Sequence, residues 1–169
     1  MPIPRLCVLV ALLAMPTALM AQEAVVAAKD PDALFSSRDP ALDANKQAVY
    51  HILKDLLEAN HWELADRYLA PEYHQHNPMV ATGRDAVVHF FTEVIKAKPT
   101  PIPVKMKTPV VAVLAEGDLV MVATVATLPD PKHGGKTYTT TWFDMWRIAG
   151  GKAIEHWDGA TLAGATPAN

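Results

Sequence analysis

The chain has a single cysteine, Cys7, among its 169 residues. We expect that residue to be removed with the N-terminal leader described below, so no disulfide is available and a hydrophobic core must stabilise the fold. Basic blocks are also missing: 15 Lys and Arg are interspersed with 18 Asp and Glu, for a net charge of -3. This composition argues against nucleic acid or an anionic membrane as a partner and favours a small molecule or a protein.

The first residues have the layout of a secretory signal. Arg5 supplies a positive charge, residues 6–20 form an uncharged run rich in Leu, Val, Ala and Met, and small residues precede the polar Gln22. The run is shorter than the ~20 residues that span a bilayer, and it contains Pro16. We therefore expect residues 1–21 to be cleaved, which leaves a periplasmic or extracellular protein without a membrane anchor.

The rest of the chain predicts one domain. Residues 22–38 are rich in Ala and have no sustained periodicity, so we interpret them as a loosely held, flexible arm. All periodic elements lie in residues 39–162, and residues 163–169 form a featureless tail. Helical patterns come first and strand patterns follow, which is typical of an α+β fold with helices on one face of a curved, mostly antiparallel sheet.

Two parts of the domain have helical periodicity. Asp39 followed by Pro40 predicts a helix start, and a shorter helix is expected to end before Pro71. A capping-box-like pair, Thr82 and Asp85, predicts another helix start. The two apolar stripes consist of Val49, Ile52, Leu53, Leu56 and Leu57, and of Val87, Phe90, Phe91, Val94 and Ile95. Prolines at 99, 101 and 103 end the second helical region.

Beyond the prolines the period changes to two, which predicts strands. The predicted strands cover residues 104–107, 110–115, 119–128, 137–148 and 152–160. Turns or loops containing glycine separate the last four of them.

Strand parity predicts that three polar residues share one face of the sheet. Asp144 lies in the penultimate strand, and His156 and Asp158 alternate in the last one. With a three-residue turn over 149–151, Asp144 lies opposite His156 and position 142 lies opposite Asp158. The three side chains then meet on the concave face beneath the helices.

A two-residue turn at Gly150–Gly151 is the competing arrangement. It shifts the strand pairing by one residue and places Asp144 on the opposite face from the other two polar residues. We favour the three-residue turn because it keeps the charged Arg147 and Glu155 together on the outward face.

Two carboxylates and an imidazole in a half-apolar cavity are suited to general acid–base chemistry. Trp142 and Trp146, on the same parity as Asp144, are expected to form apolar walls of that cavity. In the alternative interpretation Asp144 and Asp158 cap loops or pair with arginine, and His156 is a hydrogen-bonded core residue.

A metal site is the other chemistry to consider. His74 and His76 are two residues apart in an extended segment, so both side chains can face the same way and join His156 and Asp158 around a transition metal. Since the His-x-His spacing alone is a weak signal, we expect no metal.

Four segments occur together between about residues 40 and 160. They are YHQHNP at 73–78, Gly83 before a helix with Phe90-Phe91, DMWR at 144–147 and GKAIEHWD at 151–158. In combination they resemble the SnoaL-like polyketide cyclase group of the nuclear transport factor 2-like superfamily. The resemblance implies a cone-shaped α+β barrel that encloses an apolar pocket, often in a homodimer.

The resemblance also implies intramolecular aldol chemistry without metal or organic cofactor, with a pocket aspartate as acid and base. We match Asp144 and Asp158 to that role, with His156 and His76 as helpers, His76 lying at the pocket rim. Two functions stay open: a lyase or isomerase acting on a small apolar carbonyl compound, and a non-catalytic small-molecule binding protein. The residues expected to contact the ligand are Trp142, Trp146, Tyr73, His74 and Asn77.

A homodimer is expected from the resemblance and from the outer sheet face. Parity places Phe143, Met145 and Trp157 on that face, where they form an apolar patch unless a second copy covers them.

Overall fold

The computed structural model describes residues 23–162. The predicted signal at 1–21, with Cys7, and the predicted tail at 163–169 lie outside the described residues. Within the described range, no helix has both the length and the apolar character that crossing a membrane requires.

Helical segments precede most of the sheet, as the order of patterns predicted. The helical elements are a 3₁₀ turn (Asp32–Phe35), α1 (Pro40–His51) with a π-helical continuation (Ile52–Glu58), a 3₁₀ turn (Trp62–Leu64) before α2 (Ala65–Tyr68), and α3 (Arg84–His89) with a π-helical continuation (Phe90–Val94). The strands are β1 (Leu69–Gln75), β2 (Val110–Glu116), β3 (Leu119–Pro129), β4 (Thr137–Ala149) and β5 (Lys152–Asp158).

The five strands form one curved, unclosed sheet in the order β1-β5-β4-β3-β2. β1 pairs with β5 in parallel, and the other three pairings are antiparallel. The core lies between the sheet and the helices, and its fully buried side chains include Val49, Leu56, Val120, Val122 and Trp146. The predicted α+β fold with helices against a curved, mostly antiparallel sheet is therefore confirmed.

The first helix begins where its sequence predicted. The Asp39 side chain accepts hydrogen bonds from the backbone N–H groups of Ala41 and Leu42, at 2.8 and 3.1 Å. These bonds satisfy two of the donors that a helix start leaves without an intrahelical acceptor. The apolar stripe then packs on the sheet, except that Leu57 is half-exposed.

The helix predicted before Pro71 is shorter than expected. α2 ends at Tyr68, and β1 begins at Leu69, so Pro71 lies inside a strand. β1 is an edge strand whose pairing with β5 is irregular between Leu69 and His74. Because proline lacks a backbone N–H, an irregular edge strand is where a sheet tolerates it.

Two further predictions were wrong. Thr82 and Asp85 form no capping box: α3 begins after Gly83 without a side-chain cap, and the Thr82 hydroxyl oxygen accepts a hydrogen bond from the Gln75 backbone N–H instead. Residues 104–107 form no strand, because Val104 is 95% exposed and no ladder partner faces it. The outer end of the second apolar stripe, Val94 and Ile95, is exposed as well.

Residues 22–38, predicted as a loosely held arm, contribute to the core over their described part. The Ala28 backbone N–H donates to the Val110 carbonyl at 2.8 Å, so the arm is hydrogen-bonded at the start of β2. Phe35 is fully buried and packs edge-on against Tyr50, with ring centroids 5.4 Å apart. A single anchoring aromatic produces no periodicity, which is why the sequence pattern did not reveal it.

The turn between β4 and β5 has two residues, so the three-residue prediction was wrong. Ala149 pairs with Lys152 across Gly150 and Gly151. Both glycines have positive φ angles, 58° and 76°, which the tight hairpin turn requires and which glycine adopts without steric cost.

Candidate active site

A β-bulge in β5 determines which side chains face the helices. Ile148 pairs with Ala153, but Arg147 pairs with Glu155, so Ile154 has no partner on β4. One extra residue on one strand shifts the register by one position. The two-residue turn had already shifted the register by one position in the same direction, so the observed pairing is offset by two residues from the predicted one, and an offset of two keeps each side chain on the same face.

The bulge restores the shared face that parity predicted, with different pairs. Asp144 lies opposite Asp158, and Trp146 lies opposite His156. The predicted pairs, 144 with 156 and 142 with 158, were therefore wrong. Asp144, His156 and Asp158 nevertheless line one cavity together.

This cavity lies between the concave sheet face and the helices and has a volume of about 150 Å³. Most of its wall is apolar and includes Leu56, Trp62, Leu69, Val87, Phe91 and Trp146. Its polar groups are Tyr73, Gln75, Asn77, Asp144, His156 and Asp158. A small number of convergent polar groups in an apolar cavity is the usual composition of a small-molecule site.

The hydrogen bonds of Gln75 determine the tautomer of His156. Gln75 Oε1 accepts the backbone N–H of Asn77 at 3.0 Å, which identifies this atom as the amide oxygen. His156 Nδ1 lies 2.9 Å from the same oxygen and must therefore carry a hydrogen and donate it. The other ring nitrogen, Nε2, is left to face the cavity.

His156 and Asp144 share a proton. His156 Nε2 lies 3.2 Å from Asp144 Oδ1. Two acceptors at this distance require a proton between them, so the pair is either imidazolium with carboxylate or imidazole with carboxylic acid. The indole N–H of Trp142 donates to the same Asp144 oxygen at 3.2 Å. The cavity thus contains a group that can donate a proton.

Asp158 has different partners. Its Oδ2 accepts from the Asn77 side-chain N–H at 2.7 Å, and its Oδ1 accepts from the Ala160 backbone N–H at 2.8 Å. Both donors are neutral, and they suit the carboxylate form, which only accepts. Asp158 is therefore a hydrogen-bonded carboxylate at an apolar cavity, which is the form a general base takes.

Tyr73 stays a neutral phenol in this setting. Its side chain is 3% exposed, and burial raises the pKa of its hydroxyl far above the ordinary value. Its ring stacks on the His156 ring with centroids 6.4 Å apart. Tyr73 thus adds no charge to the cavity and packs against the imidazole.

Three of the predicted site residues do not line the cavity. His76 lies on the other side of the sheet: its Nε2 is 2.9 Å from Glu155 Oε1, and its ring stacks on Trp157. His74 is exposed and is not part of the cavity wall. Trp142 contacts the Asp144 carboxylate, but it does not form a wall. Alternation along β1 explains the two histidines, since it is Tyr73 and Gln75 that point inward.

The alternative metal arrangement of His74, His76, His156 and Asp158 does not form, because His74 and His76 face away from the other two residues. Among the described residues, the group that could bind a metal is Asp144, His156 and Asp158, whose ligand atoms lie within 4.8 Å of one another.

Gln75 is the site residue that sequence reasoning missed. It lies midway between Tyr73 and Asn77, which were both expected to contact a ligand, and period-two alternation places all three on one face. The histidines on either side of Gln75, at positions 74 and 76, are the more obvious candidates for chemistry.

Comparison with known proteins identifies the family. A family model of the SnoaL-like domain matches residues 49–156, which is more than half of the chain. The chain belongs to the SnoaL-like family. A search of curated proteins gave no match.

Solved structures similar to this chain have low sequence identity. An NTF2-like protein of unknown function from Burkholderia pseudomallei K96243 is 17% identical, with a TM-score of 0.49 over 70% of this chain and 91% of that one. TsrD from Streptomyces laurentii is 19% identical, with a TM-score of 0.43 over 72% and 90%. TerC, co-crystallized with polyporic acid, is 16% identical, with a TM-score of 0.49 over 70% and 92%.

Proposed function

We propose that the protein is a cofactor-independent enzyme of the lyase or isomerase type that moves a proton next to the carbonyl group of a small apolar compound. The observation that carries this proposal is the pairing of a carboxylate, Asp158, with a proton-bearing group, Asp144–His156, in one apolar cavity. Base and acid are the two groups that enolisation needs.

The geometry supports a division of roles. Asp158 removes the proton α to the carbonyl, and the electrons of that C–H bond form the C=C bond of the enol. The carbonyl oxygen takes the proton that Asp144 and His156 share. Where the enol is conjugated with a second C=C bond, Asp158 can return the proton to another carbon while the enol O–H proton goes back to the Asp144–His156 pair, which is isomerisation. The enol carbon can instead attack a second carbonyl, which is aldol condensation. The apolar wall keeps water from competing for these protons.

Deuterium exchange tests the first step without knowledge of the natural substrate. Acetophenone carries exchangeable hydrogens on a single α-carbon, and ¹H NMR follows their loss in D₂O. We expect the protein to accelerate this exchange and Asp158→Asn to slow it by ~10²–10⁴. Asp85→Asn is the matched control, because the Asp85 side chain is 94% exposed and does not line the cavity.

Exchange no faster than in buffer, or equal loss in both variants, would contradict the proposal. Saturable acetophenone binding without exchange would instead favour a non-catalytic binding protein, for which the mostly apolar wall is equally suited.

We also propose that the protein acts outside the cytoplasm. The basis is the signal-like layout of residues 1–21. The intact mass of the exported protein should correspond to a chain that begins near Gln22. A membrane-associated species that retains Met1 would contradict this proposal.

A further inference from the structure

We propose that the cavity selects against negatively charged ligands, so that the substrate is an uncharged carbonyl compound with a reacting part about the size of one ring. Carboxylates and phosphate esters of the same shape would be rejected. That the substrate is a carbonyl compound rests on the proposed function. The charge and the size of the substrate are inferred from the cavity itself.

The charges of the cavity wall support the selection against negatively charged ligands. Two carboxylates, Asp144 and Asp158, face each other across β4 and β5. Among the described residues that line the cavity, none is a lysine or an arginine. An anionic ligand would therefore meet two carboxyl groups without a lysine or arginine as counter-ion.

A proton count gives the net charge. His156 donates through Nδ1 to a neutral acceptor, Gln75 Oε1, and its Nε2 shares one proton with Asp144. The Asp144–His156 pair is neutral as a whole in both of its forms. The Asp158 carboxylate, which accepts from two neutral N–H groups, is then an uncompensated negative charge.

The basic side chains of β4 and β5 have partners elsewhere. Arg147 is on the other side of the sheet, where it donates to Asp118 and to Glu155. Lys152 donates through Nζ to the Asp66 carbonyl at 2.6 Å. These bonds hold both cations away from the cavity, so they cannot neutralise an anionic ligand there.

The cavity volume limits the size of the part of the substrate that reacts. An engineered protein cavity of about 150 Å³ lined by Leu, Ile and Phe accommodates benzene. The cavity here has about the same volume, and Val87, Leu69 and Phe91 form part of its wall. The part of the substrate that reaches Asp158 is accordingly a single ring or a short branched chain.

Acetophenone and benzoate form a suitable probe pair, because they share a ring and differ in charge. Calorimetric titration at pH 7.5 should give at least about tenfold tighter binding of acetophenone, since like-charge juxtaposition is worth more than tenfold in affinity. In Asp158→Asn the affinity for benzoate should rise at least about tenfold, while that for acetophenone changes little. Asp144→Asn provides a second variant, and thermal unfolding confirms that both are folded.

A cavity-filling pair tests the location. Val87→Phe should abolish acetophenone binding, and Val104→Phe, at a 95% exposed position, should leave it unchanged. Any of three results would overturn the inference. Benzoate could bind wild type as tightly as acetophenone does, acetophenone could fail to bind, or neither Asp→Asn variant could show a higher affinity for benzoate. Failure of deuterium exchange with charge selection intact would overturn the proposed function alone.

Discussion

Asp144 and Asp158 are direct cross-strand neighbours, yet their hydrogen-bond partners differ in kind. Asp144 shares a proton with His156, whereas Asp158 accepts from the neutral N–H groups of Asn77 and Ala160. Two carboxylates that differ in this way can act as acid and base in one cavity.

Replacing either carboxylate by its amide should remove activity without unfolding the protein. We expect Asp144→Asn and Asp158→Asn each to slow α-proton exchange by ~10²–10⁴. Stability should change little, because each substitution also removes the repulsion between facing carboxylates. Exchange rates and thermal unfolding curves check this. Activity that declines only in proportion to the unfolded fraction would indicate that the two residues are structural.

The burial of Phe35 gives a prediction about the N-terminal arm. Phe35→Ala should lower the free energy of unfolding by about 3–5 kcal/mol, as for other buried phenylalanines. Val26→Ala, at an exposed position of the same arm, should change it by less than about 0.5 kcal/mol. Denaturant unfolding measures both. A small effect of Phe35→Ala would show that the arm is dispensable.

Residue alternation was sufficient to predict the shared face of Asp144, His156 and Asp158, but not the pairs. The turn length and the bulge at Ile154 each shift the register by one residue, and the combined offset of two restores the face but not the pairs. A bulge cannot be predicted from a pattern of apolar and polar residues. The correct face was therefore predicted with the wrong turn.

The positions of His74 and His76 show a second limit. Whether an extended segment turns its odd or its even residues inward depends on its partner strand, and β1 pairs with β5 from far along the chain. Long-range pairing of this kind is not encoded in local periodicity. The first helix, by contrast, was predictable because the cap at Asp39 and the apolar stripe that follows are local.

We propose a homodimer through the outer sheet face. Leu114, Met121, Met145 and Trp157 form one cross-strand row on that face, and Phe143 beside them is 51% exposed. Sedimentation at micromolar concentration should give twice the chain mass. Phe143→Glu should shift the protein toward monomer, and Val104→Glu, exposed but away from the sheet, should not. A wild-type monomer would contradict this proposal.

We expect Glu155 to make a pH-dependent contribution to the stability of the fold. Hydrogen bonds from His76 and then from Arg147 hold the pKa of this carboxyl below its ordinary value of 4.5. A carboxyl with a lowered folded-state pKa stabilises the fold above its ordinary pKa, and this stability is lost as the pH falls through the folded-state value. The difference in stability between wild type and Glu155→Gln should therefore be largest above pH 4.5 and shrink below it. Unfolding curves from pH 7 to pH 3 measure this, and a constant difference would argue against the link.

Gln75 should act as a positioning residue through the tautomer of His156. Its amide oxygen accepts both the Asn77 N–H and the His156 Nδ1–H, which leaves Nε2 facing Asp144. Gln75→Leu removes the acceptor, so the imidazole can rotate or exchange its tautomer, and we expect proton exchange to slow by about tenfold or more. Gln75→Glu retains an acceptor at the same position. It should restore much of the rate and shift the pH profile, because a carboxylate at Oε1 favours the imidazolium form of His156. A larger loss of exchange rate in Gln75→Leu than in Gln75→Glu would support the view that Gln75 positions His156. Equal loss in Gln75→Leu and Gln75→Glu, with the same pH profile as wild type, would show that Gln75 only fills space.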